Sequence, residues 1–163
     1  MTGAVVGATA LREVMSRFAT GVTVVTVGGA HPHGMTANAF TSVSLDPPLV
    51  LCCVARSATM HEALPEAGRF AVSIMGADQR AVAEHFADKR RPTGEREFAG
   101  LAWETGPLSG APLLTGSLAW LECELAHRHD GGDHTIYVGR VLDCGVGDGD
   151  SALLFYGSTF HHL

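Results

Sequence analysis

Apolar positions recur along this chain in two rhythms. Leu11, Val14, Met15 and Phe18 fall at i, i+3, i+4 and i+7, which puts them on one stripe of an α-helix. Residues 1–10 read as a flexible tail ahead of a single domain over 11–163, and Gly21 is expected to end the helix. After it, the β-branched run 22–27 followed by Gly28-Gly29 predicts a strand and a hairpin turn, with a returning strand over 33–40. Residues 49–54, behind Pro47-Pro48, read as a buried strand, and Thr59 to Leu64 as a short helix starting near Ala58 or Thr59.

The pattern continues with a strand over 70–75 and a second helix capped by Asp78, with Val82, His85 and Phe86 on one side. The polar stretch 87–97 reads as a mobile loop. Further strands are predicted over 118–126, 135–144 and 153–156. Six or more strands, two or three short helices and no regular strand–helix alternation predict a β-rich α+β fold: an antiparallel barrel rather than a doubly wound sheet. No internal repeat is visible.

The 163 residues suffice for one domain with a proper core. A net charge of -6, with 17 acids against 11 Lys and Arg, argues against a nucleic-acid surface. The one basic cluster, Lys89-Arg90-Arg91, reads as a solvated loop. Cys52, Cys53, Cys123 and Cys144 form no C-x-x-C pair, and adjacent Cys52 and Cys53 on a strand would face opposite ways; buried free thiols in a reducing cytoplasm fit. The N-terminus has no basic region leading into a long apolar stretch, and no apolar run approaches a membrane span, so a soluble cytoplasmic protein is expected.

Neither a phosphate-binding G-x-x-x-x-G-K-[ST] loop nor a G-x-G-x-x-G turn is present; Gly145 to Gly149 is a glycine-rich turn. Between 36 and 44, Thr36, Asn38, Thr41, Ser42 and Ser44 offer hydroxyls and an amide suited to a planar heterocycle, or to local backbone groups. Arg56-Ser57-Ala58-Thr59, behind a buried strand and at a helix start, suits a phosphate or an ordinary helix cap. His127, His129 and His134 raise a metal alternative, but without a fixed zinc spacing a structural or surface role fits them better, and no metal is expected. No Ser-His-Asp arrangement stands out. In Gly132-Asp133-His134, the imidazole sits between a flexible turn and a β-rich run, where a rigid strand end can present it to a ligand.

Four ordered blocks resemble the short-chain flavin reductases, the small NAD(P)H-dependent reductases of two-component flavin monooxygenases. They run from Arg17 to Thr26, His33 to Leu51, Phe70 to Ser73 and Gly132 to Thr135, and the similarity spans Leu11 to Leu163. The resemblance implies an FMN-binding split β-barrel of Greek-key antiparallel strands. It implies that Met35, Thr36, Ala37, Asn38, Ala39, Phe40, Ser42 and Val43 line the isoalloxazine and ribityl chain, that Ser57, Ala58 and Thr59 meet the flavin phosphate, and that Phe86 flanks the cofactor. His134 would contact the nicotinamide, and the segment 157–160, with Ser158 and Phe160, would close over the dinucleotide. The chain departs from the family's frequent Gly-x-Tyr ending, having Ser158-Thr159-Phe160. The implied reaction moves a hydride from NADH or NADPH to FMN or FAD and supplies reduced flavin to a partner monooxygenase, from a homodimer acting on neither nucleic acid nor membrane. Two other readings are a split-barrel oxidase holding its flavin tightly and a flavin-binding module without turnover.

Overall fold

The structure, a computed structural model, describes residues 5–163. In chain order the elements are α1 (Ala8–Met15), β1 (Thr20–Gly21), β2 (Thr23–Val27), β3 (His33–Ala37), β4 (Phe40–Leu45), β5 (Pro48–Ala55), α2 (Met60–Ala67), β6 (Arg69–Ile74) and α3 (Arg80–Ala87). There follow β7 (Trp103–Thr105), β8 (Pro112–Leu114), β9 (Ala119–Gly131), β10 (His134–Val146), β11 (Leu153–Tyr156) and β12 (Thr159–His162). Seven strands form one antiparallel sheet in the order β3-β2-β6-β9-β10-β5-β4, as the split-barrel expectation requires.

β2 is buried at all five positions because side chains pack on both of its faces. Val25 joins Cys52, Leu64, Phe70 and Tyr137 in one apolar cluster, while Val24 joins Met75, Phe86, Phe98 and Leu153 in another. The Thr23 and Thr26 hydroxyls, also buried, donate to the carbonyls of Ala37 at 2.8 Å and Pro112 at 2.6 Å, which removes the penalty of an unpaired buried hydroxyl. β5 alternates, with Val50, Cys52 and Val54 inward and Cys53 on the other face. At Gly139, where the β9–β10 register shifts, an added Cβ would stand 2.5 Å from the Phe70 ring, so the bulge is open only to glycine.

Several boundaries differ from expectation for tertiary reasons. The first helix starts at Ala8, within the expected tail, and ends at Met15; residues 1–4 of that tail lie outside the described residues. Gly21 does not end it, because Thr20 and Gly21 are drawn into a strand against Phe155 and Leu154. The returning strand breaks at Asn38-Ala39 into β3 and β4, which pair with different neighbours. Asp78 lies in a 3-10 turn before α3 rather than capping it. Cys144 is exposed and Cys53 half-buried, so only Cys52 and Cys123 match the expectation of buried thiols; burial pushes both up to about 12.

The second helix runs to Ala67, three residues beyond expectation, despite Pro65 inside it. A proline removes the N–H that would bond the carbonyl four residues earlier. That carbonyl belongs to His61, and the buried Tyr137 hydroxyl donates to it at 2.7 Å. His61 Nε2 lies 2.8 Å from Thr135 Oγ1. The vacancy left by Pro65 thereby becomes a tether that fixes α2 against β10.

Candidate active site

A cavity of ≈ 510 Å³ lies between β3, the start of α2, α3 and the segment after it. It gathers Met35, Thr36, Ala37, Asn38, Ala39, Ser57, Ala58, Thr59, Phe86 and His134 from the sequence-based set. Phe40 instead packs half-buried against the first apolar cluster, and Ser42 and Val43 lie exposed on β4. Ser158 sits at φ 63 in the β11–β12 turn, and Phe160 packs on Phe155 with ring centroids 5.5 Å apart. None of these five lines the cavity.

At one end, β5 gives way to α2. The Arg56 N–H bonds the Asp133 carbonyl at 3.0 Å, and its guanidinium goes to the Gly132 carbonyl at 2.9 Å and to Asp130 at 2.5 Å. Arg56 therefore holds the Gly-Asp-His turn instead of facing the cavity. Among the described residues, no acceptor takes the N–H groups of Ser57, Thr59 or Met60, and Thr59 makes no side-chain cap bond although it occupies the cap position. Unspent N–H groups at a helix start attract an anion.

His134 opens β10, opposite Ala55 and Gly131. Its Nδ1 lies 2.7 Å from Asp133 Oδ1, which orients the ring and leaves Nε2 without a partner among the described residues. The hydrogen bond and the charge of the imidazole together hold the Asp133 carboxyl below its usual range.

The opposite wall was not legible as such. Glu97 is fully buried, with Oε2 2.9 Å from His33 Nδ1 and Oε1 accepting from Arg91 Nε at 2.6 Å and from the Gly34 N–H at 3.1 Å. Burial alone would raise the Glu97 carboxyl, but the bonds from His33, Arg91 and Gly34 outweigh it, and the net shift is downward. Arg91 also donates to the carbonyls of Gly34 and of Asp88. His85 bonds the Glu97 carbonyl at 2.7 Å. The stretch read as a mobile loop is thus clamped to β3, and the Lys89-Arg90-Arg91 run is not simply solvated: Lys89 and Arg91 line the cavity, and Arg91, only 11% exposed, is held in an ion pair with the buried Glu97. Gly34 is required here, since a Cβ would lie 2.6 Å from the Phe86 ring. No periodic pattern marks this stretch; only the pairing of Glu97 with the distant His33 and the nearby Arg91 reveals it.

His127 and His129 lie side by side on the exposed half of β9, ring centroids 6.2 Å apart, away from the cavity that His134 lines.

Comparisons with known proteins converge. A family profile for flavin reductase like domains matches residues 15–163. An NADH-dependent FAD reductase of Streptomyces globisporus is 51% identical over 153 residues, covering 94% of this chain and 84% of that protein. The structure superposes with a TM-score of 0.93 on BorF, the flavin reductase component of a bacterial two-component tryptophan halogenase, at 50% identity and with 96% and 98% of the two chains covered. It also superposes, with a TM-score of 0.88 and 47% identity over 94% and 90% of the chains, on the Streptomyces globisporus NADH:FAD oxidoreductase SgcE6 in complex with NAD and FAD fragments. With the split-barrel fold and a family profile that spans residues 15–163, the chain belongs to the flavin reductase family.

Proposed function

We propose that this protein transfers a hydride from NADH to a flavin held in the ≈ 510 Å³ cavity and releases the reduced flavin to a partner monooxygenase. The observation that carries the reading is the pairing, in one cavity, of unspent N–H groups and hydroxyls at the start of α2 with an Asp133-oriented His134. A passive flavin binder has no use for the second feature. Relatives named for NADH-dependent flavin reduction, such as the enzyme from a Rhodococcus species at 43% identity, support the choice of donor.

The cavity volume falls in the range of ligand sites, roughly 300–1,000 Å³, and its residues fit a flavin. Phe86 and Met35 supply apolar surface for a ring system, and Ser57 and Thr59 supply donors for a phosphate. The bound pair of cofactors supplies the hydride chemistry itself. The chain orients: Thr36 spends its hydroxyl on the Ala83 carbonyl at 2.6 Å and so fixes the strand against α3, while His134, at a rigid strand end, would meet the nicotinamide when it binds. No side chain acts as a nucleophile.

Replacing Ser57 and Thr59 together with Ala is expected to raise the KM for FMN at least about fivefold more than that for riboflavin, which lacks the phosphate. Equal changes for the two flavins would remove the phosphate assignment.

The same reading places the enzyme in the cytoplasm as a homodimer. No helix among the described residues is long and apolar enough to cross a membrane. α1 buries none of its residues, and Leu11, Val14 and Phe18 are 55%, 67% and 67% exposed, an apolar stripe suited to a second copy. By contrast, residues 118–121 at the start of β9 are half-buried within their own chain. Light scattering should give twice 17.1 kDa, and a monomer with full flavin affinity would count against the dimer.

A further inference from the structure

Arg56 lies between the two ends of the cavity and lines neither. On one side it follows Ala55, which pairs with His134 across β5 and β10. On the other it precedes Ser57, and the Ala58 N–H closes the passage into α2 by donating to the Ala55 carbonyl at 3.0 Å. A few residues of backbone therefore join the anion-binding helix start to the strand end that carries the imidazole.

The bonds of Arg56 all go to the turn ahead of His134. Its N–H donates to the Asp133 carbonyl at 3.0 Å, Nε to the Gly132 carbonyl at 2.9 Å and Nη2 to Asp130 Oδ1 at 2.5 Å. The turn has little stiffness of its own, since Gly132 stands at φ 74 beside Gly131. The Arg56–Asp130 pair faces solvent, its side chains 49% and 80% exposed, and a pair that open holds little by itself. It positions the turn well only where residue 56 is itself held. The N–H groups of Ser57, Thr59 and Met60 have no acceptor among the described residues, so a phosphate bound there fixes the peptide planes that run directly into Arg56.

We propose that Arg56 is a positioning residue that passes the order imposed by the flavin phosphate on to His134, so that the phosphate speeds hydride transfer as well as tightening flavin binding. The proposal rests on the hydride-transfer reading above. Binding energy from a group remote from the reacting atoms is used here for orientation, and a substrate truncated at that group loses rate and not affinity alone. Riboflavin is the truncated substrate.

The test is stopped-flow reduction by saturating NADH of FMN and of riboflavin, each at saturation, in wild type, Arg56→Gln, Arg56→Lys and Asp130→Ala. Wild type is expected to reduce FMN at least about fivefold faster than riboflavin. Arg56→Gln should bring the FMN rate to within about twofold of its own riboflavin rate, while the Kd of each flavin stays within about threefold of wild type. A general loss of structure would not split rate from affinity in this way. Arg56→Lys keeps the charge but not the planar fork and should behave as Arg56→Gln. Asp130→Ala removes one acceptor at an exposed position and should lower the ratio of the two rates at least about twofold; it decides the matter if the Arg56 variants fail to fold. Equal rates for the two flavins in wild type, an undiminished ratio in Arg56→Gln or Asp130→Ala, or a full wild-type ratio in Arg56→Lys would overturn the latch. A wild type that reduces neither flavin would instead overturn the hydride-transfer reading, and the latch with it.

Discussion

Glu97→Ala is expected to lower folding stability by about 3–5 kcal/mol, the usual cost of removing one partner from a buried ion pair. The carboxylate is fully buried and binds His33, Arg91 and the Gly34 N–H; without it the largely covered Arg91 guanidinium keeps only carbonyls as acceptors. Urea denaturation at neutral pH measures the loss. The pH dependence follows from the downward shift of the Glu97 carboxyl. A depressed folded-state pKa contributes stability that is present above the unfolded value of 4.5 and lost as pH falls through the folded one. The gap between wild type and Glu97→Gln should therefore be wide at neutral pH and narrow as pH drops below 4.5. A gap that stays constant, or a loss below about 1 kcal/mol for the Ala variant, would mean that the clamp contributes little. Because the clamped segment forms a wall of the cavity, Glu97→Gln should also raise the KM for flavin.

His134→Ala is expected to leave flavin affinity within a few fold and to slow hydride transfer at least about tenfold, roughly 1.4 kcal/mol of lost orientation or charge stabilisation. The ring stands at a strand end with Asp133 behind it, so its removal takes away a donor without unpacking the core; it is 43% exposed. Stopped-flow reduction of bound flavin by NADH separates that step from product release. A variant that reduces flavin at the wild-type rate, with the same NADH saturation, would reduce His134 to a turn residue.

Much of this site could be read from local signals. Apolar runs and glycine turns place β2, β5, β6, β10 and β11 to within a residue or two, and His134 and Ser57 to Thr59, singled out in the sequence, line one cavity. What local signals missed is set by distant partners. Thr20 and Gly21 become a strand because β11 lies alongside, and where α2 runs past Pro65 the Tyr137 hydroxyl, 76 residues from His61, takes the place of the missing N–H by donating to the freed carbonyl. The same holds for Glu97: the polar stretch 87–97 reads as a mobile loop until His33, 64 residues away, is placed against it. Short strands such as β7, β8 and β12 carry too few residues for a period to show.

The most direct test of the flavin site is a crystal structure of the protein with FMN and an NADH analogue bound. The expected result is an isoalloxazine in the cavity between β3 and Phe86, its phosphate within hydrogen-bonding distance of Ser57 and Thr59, and the nicotinamide beside His134 Nε2. A flavin bound elsewhere, or a nicotinamide seated away from His134, would contradict the account.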